Sequence, residues 1–160
     1  MIATDVIKNT LVMGDYIQNE YLKDLSDAEL LVRPIEGMNP IAWQIGHLIE
    51  SERDMLEKLK PGSAPALPAG FAAAHSKEAA LAGGTSGYLK KAEYEELGKK
   101  LRAASLAAIE SLDAAVLDEP SGIDYAPTKG ALANMLGVHV LMHVGQFAAV
   151  RRALKKPVVI

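Results

Sequence analysis

An all-α fold built on four long helices is what this sequence predicts, and three observations predict it. Apolar residues make up 49% of the 160 positions while aromatic residues make up only 5%, so a core must be assembled mainly from Ala, Leu, Ile, Val and Met. Ala and Leu favour helix, and β-branched runs with a two-residue alternation are few. Four long stretches instead carry apolar residues three and four apart, the period of a helix with one buried face. The length suits one domain with its own core, and no shift in composition divides residues 1–160 into two.

The first helix is expected from Thr4 or Asp5 to Asp24, with Val6, Thr10, Met13, Ile17 and Tyr21 on its inward stripe. Ser26 and Glu29 then stand three apart, the spacing of a capping box, and open a short helix that Pro34 and Gly37 end. Asn39-Pro40 opens the second long helix, with Asn at the N-cap and Pro at the first helical position, and it continues to about Lys60. Ile41, Ile45, Leu48, Ile49, Met55, Leu56 and Leu59 share one face of that helix, whereas Trp43 and His47 lie off its centre. Residues 61–87, rich in Pro, Gly, Ala and Ser, read as a long connection in which 71–78 could form a turn or two of helix. The third long helix spans roughly Lys90 to Val116, a loop follows around Gly122 and Pro127, and the last helix runs from near Thr128 to about Leu154. On this last helix, His139, His143 and Gln146 fall within a narrow arc read as inward-facing. Ala133, Gly137, Gly145 and Ala148 give the other side a close-approach or subunit-contact character.

A formal charge of −3 and a pI near 5.8, with Lys and Arg scattered, leave no clustered cationic surface for nucleic acid. No charged-then-apolar leader is read at Met1 and no uninterrupted apolar stretch is read as long enough for a bilayer, so a cytoplasmic location without membrane contact is expected. Without cysteine there is no disulfide, no Cys-ligated metal and no protein thiol nucleophile.

The histidines carry the chemistry. His139 and His143, four apart, project from one helix face, and His47 on another helix could complete a three-nitrogen metal site. The plain alternative is core histidines bonded to neighbours. That is easy for one imidazole and harder for two side by side, since an unpaired buried polar group costs about 1–3 kcal/mol. Gln146 reads as a side chain that orients an imidazole or a water, and Trp43 and Met142 as cleft wall or ordinary core. Glu50 reads as a solvated residue and His75, in the long connection, as a surface histidine.

Three phrases together resemble the DinB/YfiT-like superfamily: Leu25-Ser-Asp-Ala-Glu29 through Arg33-Pro34; Asn39-Pro-Ile-Ala-Trp43-Gln-Ile-Gly46-His47-Leu48; and His139-x-x-x-His143-x-Gly145-Gln146 through Arg151-Arg152. The resemblance runs through nearly the whole chain. It implies a four-helix bundle in up, down, down, up order, a divalent metal held by His47, His139 and His143 at one end of it, and a homodimer. It also implies thiol-dependent S-transfer or isomerisation with bacillithiol, mycothiol or a related low-molecular-weight thiol.

Three imidazoles leave a divalent ion an open position. Zinc or nickel is the first expectation, and iron, copper and manganese remain open. Such an ion can deprotonate an incoming thiol, giving an S-transferase that acts on a small electrophile, or a bound water, giving a hydrolase. A third expectation is a stress-response or binding protein in which the metal only stabilises the bundle.

Overall fold

The computed structural model describes residues 2–159 and is mostly helical. Its elements are α1 (Ala3–Leu22), a 3₁₀ turn (Glu29–Leu31), α2 (Ile41–Leu59), α3 (Phe71–Ala74), α4 (Lys77–Ala82), α5 (Lys91–Glu110), a second 3₁₀ turn (Ala114–Asp118), β1 (Pro120–Ile123), β2 (Ala126–Thr128) and α6 (Lys129–Ala153). The two short strands pair antiparallel.

Side-chain bridges fix the direction of the four long helices. Thr10 and Gly14 on α1 meet Gly137 on α6, and Arg151 donates from Nη1 to the Tyr21 carbonyl (2.8 Å), so α1 and α6 run parallel. Arg102 on α5 pairs with Asp15 (3.3 Å), and Lys91 at the start of α5 donates to the Leu22 carbonyl (2.6 Å) at the end of α1, so α5 runs against α1. Ser105 on α5 donates to Glu52 on α2 (2.7 Å), and Lys60 to Ser111 (2.6 Å), so α2 and α5 run together. The order is up, down, down, up, with α1 beside α6 and α5, and α2 beside α5 and α6.

Several local expectations hold for physical reasons the structure displays. Ser26 and Glu29 cap each other, Glu29 Oε2 accepting the Ser26 N–H (2.8 Å). Every residue assigned to the α2 stripe is buried. Gly137 lets α6 approach α1 so closely that a Cβ there would stand 2.7 Å from the Thr10 carbonyl oxygen.

Others are corrected. Pro40, not Asn39, is the residue before the first turn of α2, because the Asn39 Oδ1 is engaged by Arg33 (3.4 Å) and not by the helix. α5 stops at Glu110, where Ser111 bonds back to the Ala108 carbonyl (2.7 Å). The stretch expected as a loop around Gly122 and Pro127 contains the hairpin, which holds Ala126 in the core. On α1 the buried face is Thr4, Ile7, Leu11, Gly14, Tyr21 and Leu22, while Val6 and Met13 are exposed. Gly145 faces no neighbour among the described residues. By length and composition α6 does meet the requirement for a membrane span. Leu132, Leu136, Val140, Val144, Phe147 and Val150 nevertheless lie in the bundle core, as in any helix enclosed by neighbours.

Candidate metal centre

α2 and α6 pack side by side, and the first two turns of α2 bring His47 opposite the middle of α6. The rings of His47, His139 and His143 form a tight triangle, with centroids 5.2 Å (His47–His139), 5.4 Å (His47–His143) and 4.9 Å (His139–His143) apart. One nitrogen from each lies within 4.8 Å of the other two. His143 is buried, and the other two are half-buried.

Two of the three rings are held from outside the cluster. His143 Nδ1 donates to Gln44 Oε1 (2.9 Å), and the Gln44 amide is oriented because its Nε2 donates to the Asn39 carbonyl (2.9 Å). A carbonyl can only accept, so this chain fixes both the amide and the imidazole tautomer, and it leaves the His143 lone pair on Nε2. His47 stacks flat on Trp43, at 4.9 Å with 6° between the planes. The Trp43 Nε1–H is tied to the Ser76 carbonyl (3.1 Å).

Burial drives the electrostatics. Desolvation, reinforced by the neighbouring imidazoles, pushes His139 and His143 down to about 4, and desolvation aided by the Lys77 charge pushes His47 down as well. Near neutral pH the three rings are uncharged and their lone pairs are available. Spacing, neutral nitrogen donors and a fixed tautomer together fit a divalent ion.

Other assignments change. The amide touching an imidazole is Gln44. Gln146, expected to point inward, is exposed, because the core ridge of α6 runs through Val140, Val144 and Phe147 and Gln146 lies round the helix from it. Met142 is likewise exposed. Trp43 is buried and serves as both packing and cleft wall. Glu50 stays outside the cluster.

His75 is the largest departure: expected at the surface, it is fully buried. Its Nδ1 donates to the Phe71 carbonyl (2.8 Å), and the Tyr94 hydroxyl, pushed up to about 12 chiefly by burial, donates to its Nε2 (2.7 Å). The ring fits a notch in α2 at Gly46, where a Cβ would stand 2.0 Å from His75 Cδ2. Gly46 therefore seats His75, and His75 pins the α3–α4 segment beside His47. Sequence reasoning passed over Gln44; a polar residue three before His47 in the otherwise apolar opening of α2 was the available signal.

No curated protein and no solved structure matches the chain. The DinB superfamily matches it over residues 17–147, a span that includes α2, the whole of α5 and all three clustered histidines. This chain belongs to the DinB superfamily.

Proposed function

We propose that His47, His139 and His143 hold a divalent metal ion, zinc or nickel first, and that the protein is a thiol S-transferase acting on a small electrophile. The observation that carries this reading is the convergence of three uncharged imidazole nitrogens within 4.8 Å. When bound, the ion supplies a Lewis acid that favours thiolate over thiol and keeps a coordination position for a reactant.

The chain's own residues supply orientation and enclosure. Gln44 holds the His143 tautomer, and the stack of Trp43 on His47 sets that ring and closes one side. With no cysteine in the sequence, the sulfur comes from a separate low-molecular-weight thiol. Thiol transfer is placed ahead of hydrolysis on the family resemblance, and a metal-activated water is the alternative reactant.

The test is elemental analysis of protein purified without a metal-affinity column, beside His143→Ala, followed by turnover of a chlorinated aromatic with a panel of thiols. Near-stoichiometric metal in the parent, little in the variant, and thiol-dependent turnover lost with the metal are expected. Metal in neither protein sinks the centre. Ester or lactone turnover without thiol replaces the transferase with a hydrolase, and a chelator effect on melting alone leaves a metal-stabilised binding protein.

A homodimer is part of the same proposal. Val6, Met13 and Tyr16 on α1 and Val138 and Met142 on α6 are large apolar side chains left exposed. Sedimentation should give a dimer that Met13→Glu dissociates.

A further inference from the structure

Beside the imidazole cluster, a cavity of about 910 Å³ opens between residues 33–39 and α4. Trp43 is the wall it shares with the histidines, since the same indole stacks on His47. Ile35 and Leu81, both largely exposed, line it as well. These apolar surfaces suit the body of a small organic molecule.

Its charges are unbalanced. Arg33 and Lys77 both line the cavity, and neither forms an ion pair with a carboxylate among the described residues. Glu36, also in the lining, is exposed and pairs with neither, so the wall keeps a net positive charge. Arg33 Nη1 donates to the Met38 carbonyl (3.1 Å) and Asn39 Oδ1 (3.4 Å), which holds the guanidinium in place. Nη2 is enclosed without a hydrogen-bond partner, as is the Tyr88 hydroxyl. Nη2 thus faces protein and not the cavity, and what the cavity offers a ligand is the rest of the Arg33 side chain together with Lys77, two cations without a carboxylate partner among the described residues. The missing partner is an anion, and the neighbouring Trp43, Ile35 and Leu81 give it an apolar body.

We propose that this cavity binds an organic anion, a carboxylate or phosphate joined to an apolar group, through Arg33 and Lys77. As the substrate's recognition subsite it rests on the metal-centre reading, whereas the binding itself does not. An anionic group held here places the rest of the molecule along Trp43 toward the imidazoles.

The test uses chelator-treated full-length protein, so a failed metal centre does not affect it. Trp43 is the sole tryptophan, and its fluorescence reports on the cavity wall. Benzoate, phenyl phosphate and neutral benzamide are titrated in parallel. At least one anion should bind saturably and about tenfold more tightly than benzamide, weakening as salt is raised. Arg33→Met should weaken it about tenfold and Lys77→Met about threefold. Lys77 is exposed and outside the core, so its variant remains informative if Arg33→Met fails to fold. Benzamide binding as tightly as both anions, unchanged affinity in Lys77→Met, or no saturable binding of either anion overturns the proposal.

Discussion

His75 and His143 are both buried imidazoles packed against α2, and they differ in what their nitrogens touch. Both nitrogens of His75 are bonded within the protein, one to Phe71 and one to Tyr94, and three aromatic rings surround it. His143 has one nitrogen bonded, to Gln44, and its ring faces His47 and His139. A structural histidine is complete in its own hydrogen bonds. A histidine with a fixed tautomer and a lone pair directed toward others like it is prepared for something added later.

Gly46→Ala should break the contrast most strongly. A Cβ 2.0 Å from the His75 ring cannot be accommodated without expelling a doubly bonded side chain, so a loss of about 3 kcal/mol in denaturant unfolding is expected. Full stability in that variant would mean that the notch does not seat His75. His75→Ala comes next, at about 2–3 kcal/mol, from a cavity and the loss of the bond that the Tyr94 hydroxyl donates, although that hydroxyl still accepts from the Leu89 N–H. Its metal content, measured by elemental analysis, should match the parent, whereas His143→Ala should lose metal with a smaller change in metal-free stability. Gln44→Ala removes only the orienting amide, so a competition titration should show metal affinity reduced about 10- to 100-fold with the site still able to fill.

The gentlest probe is pH on the metal-free protein. His139 and His143 titrate at about 4 when folded, below the ordinary value near 6.5, so the unfolded chain takes up protons first as pH falls. Their stabilising contribution is full above about 6.5 and is lost as the pH drops toward about 4, with a slope of at most about 1.4 kcal/mol per pH unit for each imidazole. Melting curves between those limits should show this fall, and His143→Ala should flatten it. An unchanged slope in the variant would remove His143 from the titrating set.

Much of this was legible in the residues. The α2 stripe, the Ser26–Glu29 cap and the shared face of His139 and His143 follow from helical period and cap chemistry, which act over three or four positions, whereas the joining of His47 to that pair was implied by the family resemblance. His75 was illegible because its partners come from Phe71, Tyr94 and the bare backbone at Gly46, and nothing periodic in residues 61–87 announces that docking. The α1 stripe was misread because that helix carries apolar side chains on two sides. Spacing alone does not say which side meets α5 and α6 and which is left outward. The β1–β2 hairpin was missed because Pro120-Ser-Gly-Ile123 has no alternating apolar run, and its pairing depends on a local turn.

The parallel contact of α1 with α6 bears on when the protein acquires its chemistry. Arg151, almost fully enclosed, joins the end of α6 to Tyr21 and Asp24, and Gly137 meshes with Thr10, so the first long helix is completed only by the last. His139 and His143 ride on that same closing helix. During synthesis, a chain that has produced α1, α2 and α5 has one of the three clustered histidines and an open seam where α6 belongs. The proposed three-histidine centre is therefore complete only when α6 closes the bundle, whereas His139 and His143 are already neighbours on α6 itself.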